Sequence, residues 1–81
     1  MITREQVKMA RAALGWGVRE LAEQAGTTAN TVSRFENGAD ALGGTLAKIE
    51  ATLTAAGIVF IPSGSYAGDG GPGVRLKGPA E

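Results

Sequence analysis

The side chains best suited to specific hydrogen bonding in this 81-residue chain are concentrated between residues 28 and 34. The set comprises Thr28, Asn30, Thr31, Ser33 and Arg34, with the small apolar Ala29 among them. An asparagine amide can form two hydrogen bonds with adenine, arginine favours guanine or a phosphate, and the methyl groups of alanine and threonine suit the thymine methyl. This segment is therefore suited to recognising hydrogen-bonding groups on a partner, such as the edges of bases, and not to catalysing a reaction.

Composition removes most catalytic chemistry. The chain has no histidine and no cysteine, which supply most general bases, soft metal ligands and activated nucleophiles. Glu20 and Glu23 lack partners for acid–base work and fit a solvated helix face. Gly68, Gly70 and Gly73 satisfy G-x-G-x-x-G, but a dinucleotide site needs a helix after this motif and here a strand follows. We expect no enzyme activity, no cofactor and no metal site.

Length and charge favour one small intracellular domain. The chain has no apolar run long enough to span a membrane, and a domain of this size gains stability from oligomerisation. The absence of cysteine and of an apolar signal-peptide segment favours a reducing cytoplasm. The net charge of zero argues against nucleic-acid binding by bulk electrostatics. Most of the basic residues nevertheless lie in the first half, namely Arg4, Lys8, Arg11, Arg19 and Arg34.

Capping residues predict the first two helices. Thr3 and Gln6 form a capping-box pattern, and the apolar spacing after them predicts a helix over Arg4–Leu14, stopped by a glycine. Gly17 then stands at an N-cap position before a short helix over Val18–Ala25, which another glycine ends.

Two further helices follow. Thr28 is suited to cap a helix over Ala29–Asn37, and Asn37 with Gly38 suits left-handed backbone at its end. A loop over residues 39–44 precedes a fourth helix that runs to about Ala56. Its apolar stripe consists of Leu46, Ile49 and Leu53.

The remainder of the chain is β-prone. Residues 58–61 and 74–77 predict two short strands around a flexible glycine-rich stretch. Because strand side chains alternate and both faces of the first strand are apolar, one face needs cover besides the helices, and a second copy can supply it. We therefore divide the chain into a helical domain over 1–57 and a dimerisation tail over 58–81, with strands that pair within one chain or between two. The expected dimer residues are Ile58, Val59, Phe60, Ile61, Val74 and Leu76.

The second and third helices have the layout of a helix-turn-helix. They are short, a tight glycine turn separates them, and the second opens with hydroxyl and amide side chains. Ala22 is small where the two helices must cross, Gly26 permits the turn, and Val32 is placed to pack back on the preceding helix.

The sequence resembles the Cro/C1-type (XRE) repressors in residues 11–16, 20–22, 26–28 and 32–38, and its tail resembles the ending of many short members. The resemblance implies a mainly α, lambda-repressor-like bundle of four or five helices with a short C-terminal strand pair. It also implies a dimer and places part of a further helical turn near residues 40–44.

The resemblance also assigns residue roles. It implies base reading by Thr28, Ala29, Asn30, Thr31, Ser33 and Arg34. It implies phosphate contacts from Gly17, Val18, Arg19, Asn37 and Gly38. Arg11 and Glu36 match the family's internal ion pair. The sequence departs from the family at Val18, where many members have a polar side chain, and at Asp40, in a loop that often carries a cation.

Two functions remain open from the sequence. The first is a sequence-specific transcriptional regulator that binds double-stranded DNA as a homodimer on a near-palindromic operator. The second is a protein-binding module, such as an antitoxin or an antiactivator, that engages another protein through the apolar tail. Zero net charge and the apolar residues 58–61 favour the second function.

Overall fold

A computed structural model describes residues 2–65 and 68–78, and it shows four helices followed by two small antiparallel sheets. The helices are α1 Arg4–Leu14, α2 Val18–Ala25, α3 Ala29–Glu36 and α4 Gly43–Ala55. The strands are β1 Ile58–Ile61, β2 Gly64–Ser65, β3 Asp69–Gly70 and β4 Gly73–Leu76. The predicted fold class is thereby confirmed. None of the described helices is both long and apolar enough to cross a membrane.

Local capping fixes the limits of α1 and α2 as predicted. The Thr3 hydroxyl accepts the Gln6 backbone N–H at 3.2 Å, and the Gln6 side-chain oxygen accepts the Thr3 N–H at 2.9 Å, so the capping box is present. Gly15 and Gly26 follow the two helices with φ angles of 70° and 72°. Such left-handed backbone is easily adopted only by glycine, which explains why both helices end there.

The limits of α3 and α4 differ from the prediction. α3 ends at Glu36, and Asn37 caps it with a φ of −95°, so of the predicted left-handed pair only Gly38 has a positive φ. α4 begins at Gly43, inside the predicted loop, and ends at Ala55. Residues 39–42 contain no helical turn, which corrects that expectation from the resemblance. Burial of Leu46 one turn into α4 outweighs the low helix propensity of the two leading glycines.

One apolar core joins the helices to the first strand. Its largest fully buried side chains are Val7, Leu21, Val32, Ile49 and Leu53, one or two from each helix. The predicted α4 stripe is therefore the buried side of that helix. Ile58 of β1 is also in this core with 2% of its surface exposed.

The two longer strands pair antiparallel within the chain, which answers the question that the sequence leaves open. Phe60 lies opposite Val74, and both pack against the helical core. Ile58 is buried inside the chain and is not available to a partner, which removes it from the predicted dimer surface. Val59 and Leu76 remain 38% and 52% exposed. Tyr66, Ala67 and residues 79–81 of the predicted tail lie outside the described residues.

Gln6 holds the strand pair against α1. Its side-chain amide is buried and donates to the backbone oxygens of Ile61 at 3.1 Å and Gly73 at 2.9 Å, which are opposite each other in the sheet. Sequence reasoning finds only the capping role of this residue, because its two other partners are 55 and 67 positions away.

Replacing Gln6 with methionine, which has similar shape but no amide, should lower the free energy of unfolding by about 2–3 kcal/mol. The part-buried carbonyls of Ile61 and Gly73 and the Thr3 N–H would lose their partner, and each unsatisfied buried group costs about 1–3 kcal/mol. Urea unfolding followed by circular dichroism measures the loss. Gln24→Met on the exposed face of α2 is the matched control. Equal stability of the two variants would contradict this role for Gln6.

Candidate nucleic-acid interface

α2 and α3 pack against each other with the layout expected of a helix-turn-helix. Ala22 and Ala25 are buried in α2, and Val32 of α3 is completely buried against the shared core. The small alanine side chains allow the two helices to approach closely. Gly26 makes the turn, and Thr28 begins α3 by accepting the Thr31 N–H at 3.2 Å.

The outward face of α3 consists of Asn30, Ser33 and Arg34. These residues are three and four positions apart and therefore share one side of the helix. Asn30 and Arg34 are exposed, and Ser33 is half-buried. Their side chains make no hydrogen bond or ion pair within residues 2–65 and 68–78. The face therefore presents amide, hydroxyl and guanidinium groups that are free to bind another molecule.

The other predicted base-reading residues have local partners. Thr28 and Thr31 share a hydrogen bond of 2.8 Å between their hydroxyl oxygens, and the Thr28 oxygen also caps the helix. Ala29 is half-buried and packs against the core. Base reading by these three residues stays a prediction, while the residues free to bind are those of the outward face.

The start of α2 has open backbone donors. Gly17 is its N-cap and provides no side chain, so the first N–H groups of the helix lack a side-chain acceptor. Open N–H groups and the helix dipole make such a terminus suitable for a phosphate. Arg19 is exposed there, whereas Val18 is half-buried and packs on the core, so only its backbone can serve.

The turn after α3, unlike the start of α2, has its backbone N–H groups hydrogen-bonded. The N–H groups of Asn37, Gly38 and Ala39 donate to the carbonyls of residues 33–35 at 2.9–3.2 Å. These three N–H groups are therefore not available to a phosphate. Of the two residues predicted to contact phosphate there, only Asn37 has a polar side chain that remains free.

Arg11 and Glu36 form the ion pair that the resemblance implies. Arg11 Nε and Nη2 donate to the two carboxylate oxygens of Glu36, both at 2.7 Å, and Nη1 donates to the Trp16 carbonyl at 3.1 Å. The hydrogen bond to Glu36 raises the pKa of Arg11 further above its usual value, against the lowering effect of burial. The pair ties α1 to the last turn of α3 and thereby fixes how α3 is presented.

Arg4 lies beside the end of α3, which the sequence does not predict. Its Nη1 atom is 3.7 Å from the position that a Cβ would take on Gly38. Arg4 lines a cleft with Phe35, Gly38 and Asp40. No sequence pattern predicts that residues 4 and 38 are close together. The sequence shows only that a cation stands at the start of α1.

The fold and the free outward face of α3 together define a helix-turn-helix domain of the DNA-binding kind. The family model described as "Helix-turn-helix domain" matches residues 4–58, more than half of the chain. The chain belongs to this family. Comparison with curated proteins gives no match. The described residues contain no group of three or more side chains suited to hold a metal ion.

Proposed function

We propose that this chain is a Cro/C1-type (XRE) transcriptional regulator that reads duplex DNA through the outward face of α3. The observation that carries the proposal is the division of α3 into two sides. Val32 and Glu36 are buried, while Asn30 and Arg34 are exposed and have no hydrogen-bond or ion-pair partner in the part of the chain that the structure describes. A helix anchored on one side and polar on the other can enter the major groove, where each base pair shows a distinct pattern of donors and acceptors.

Phosphate contacts position the domain on the duplex. The uncapped start of α2 and the exposed Arg19 are suited to one strand of the backbone. Contacts of this kind carry no sequence information, so sequence preference comes from α3. Such a regulator must be in the same compartment as its DNA, and we propose that this compartment is the cytoplasm.

Selection from a random pool of duplexes at low salt tests this function. We expect recovery of related sequences containing a preferred half-site, followed by binding that weakens steeply as salt rises. The Arg11–Glu36 pair and the buried core must remain intact in the protein used, so the full chain is required. Recovery of random sequences, or no duplex retained at all, would contradict the proposal.

The same proposal includes a homodimer on a near-palindromic operator. Two recognition helices would then enter successive major grooves about 34 Å apart. Val59 and Leu76 remain exposed on opposite faces of the strand pair, since Leu76 is opposite Ile58 and shares its face, and each is a candidate for a contact through the strands. A domain of this size also has limited stability alone.

Val59→Lys should convert the dimer to a monomer in sedimentation velocity, because a buried interface does not accommodate an unpaired charge. Met9→Lys is the matched control, since Met9 is 37% exposed and Val59 is 38% exposed. A dimer that persists in Val59→Lys and in Leu76→Lys would place the interface elsewhere.

The alternative function is a protein-binding module on the same scaffold, such as an antitoxin or an antiactivator. The observations that favour it are the net charge of zero and Leu42, which is 82% exposed in the loop before α4. A stable complex with another protein, together with no DNA binding at low salt, would select this function.

A further inference from the structure

The turn that ends α3, residues 37–39, offers a phosphate the neutral side-chain amide of Asn37 but no cation, so a charged donor there comes from another part of the chain, if α3 enters the groove as proposed. Beyond the end of a recognition helix lies the sugar–phosphate backbone. The N–H groups of Asn37, Gly38 and Ala39 are already hydrogen-bonded within the turn. The loop that follows, residues 39–42, contains no cation and has an exposed acid, Asp40.

Arg4 is placed to supply that donor. It is the first residue of α1, and its Nη1 atom lies 3.7 Å from the position that a Cβ would take on Gly38. Half of its side chain is exposed. Among the described residues that line the cleft between the start of α1 and the loop after α3, Arg4 is the only cation. A guanidinium carries five N–H donors in a fork that matches phosphate oxygens.

Glu5 competes for the same guanidinium. Arg4 Nε lies 3.3 Å from Glu5 Oε2, and both side chains are more than half exposed. Exposed ion pairs of this kind contribute little stability, so a phosphate that approaches the turn can displace the carboxylate. The displaced Glu5 still repels the phosphate and keeps the contact weaker than an unopposed arginine would make it.

We infer that Arg4 binds a DNA phosphate at the C-terminal end of α3 and that Glu5 opposes this contact. The inference rests on the proposed function, since it concerns the same interface. Arg4 thereby supplies, from α1, a cation beside a loop that contains none. It positions the domain on the duplex and reads no base.

The salt dependence of binding to a duplex selected with the unaltered protein tests the inference. Each neutralised phosphate contributes about 0.9 to the slope of log K against log salt. Arg4→Gln should reduce the slope by about that amount and weaken binding about three- to tenfold at moderate salt, equally for preferred and random duplexes. Lys48→Gln removes the same charge from the exposed face of α4 and should change the slope little.

Glu5→Gln provides the opposite test. It should strengthen binding about two- to fivefold in the unaltered protein, because it removes both a competitor and a repelling charge. In an Arg4→Gln background the gain should shrink by more than half. Melting temperatures that match the parent would show that these exposed changes leave the fold intact.

The outcomes separate the two proposals. If the unaltered protein binds a preferred duplex and Arg4→Gln keeps its full salt slope, the inference about Arg4 is overturned and the proposed function stands. If the unaltered protein binds no duplex at low salt, the proposed function fails and the inference fails with it. A lowered slope in Arg4→Gln but not in Lys48→Gln supports both.

Discussion

Replacing Arg11 with alanine is expected to lower the free energy of unfolding by about 3 kcal/mol. The change would leave the Glu36 carboxylate, whose side chain is only 6% exposed, without its two hydrogen bonds of 2.7 Å. Breaking a buried ion pair on one side costs about 3–5 kcal/mol. We expect the lower end because 22% of the Arg11 side chain is exposed. Urea unfolding monitored by Trp16 fluorescence and circular dichroism measures the loss.

A double variant distinguishes an unpaired charge from lost packing. Arg11→Met with Glu36→Leu removes both charges and fills similar volume, so it should recover most of the lost stability. The free energy of unfolding of Arg11→Lys should lie between those of the parent and Arg11→Ala, because a lysine keeps the charge but cannot form the two parallel hydrogen bonds. Stability within about 0.5 kcal/mol of the parent for Arg11→Ala would show that the pair does not anchor α3.

The second large effect is expected from the outward face of α3. Changing Asn30 and Arg34 together to alanine should weaken binding to the preferred duplex by about 2–6 kcal/mol, since each good side-chain contact to a base edge is worth about 1–3 kcal/mol. Both residues are exposed and make no contact that stabilises the fold through a hydrogen bond or ion pair among the described residues. The thermal midpoint should therefore change little. Fluorescence anisotropy with a labelled duplex measures the affinity.

The control for this double variant lies on α2. Gln24→Ala changes an exposed polar side chain on the same two-helix unit but outside the outward face of α3. It should leave affinity and sequence preference unchanged. If the Asn30→Ala/Arg34→Ala variant bound as tightly as Gln24→Ala, a different surface of the protein would have to contact the bases.

The sequence predicts most of the helical fold because the signals for helix ends are local. Thr3 and Gln6 lie three residues apart, and Gly15 closes the same helix, so one short segment contains all the information. The start of α4 is different. Two successive glycines indicate a loop, and only the burial of Leu46, which depends on the packing of other helices, shows that Gly43 already belongs to the helix.

Long-range contacts limit what the sequence predicts about the site. The i, i+4 relation of Asn30 and Arg34 is local, so their common face can be predicted. The contact between Arg4 and Gly38 cannot, because it depends on how α1 packs beside α3. The alternation of side chains along a strand correctly places Ile58 and Val59 on opposite faces. It does not show that the core of the same chain covers Ile58.

The most direct test of base reading is to remove single acceptor atoms from the major groove. A duplex in which 7-deazapurines replace adenine or guanine lacks the N7 acceptor at that position and keeps its minor groove and its backbone charge. We predict that such a substitution inside each half-site weakens binding by the unaltered protein about tenfold and leaves binding by the Asn30→Ala/Arg34→Ala variant unaffected. Equal affinity of the unaltered protein for substituted and natural duplexes at every half-site position would contradict it.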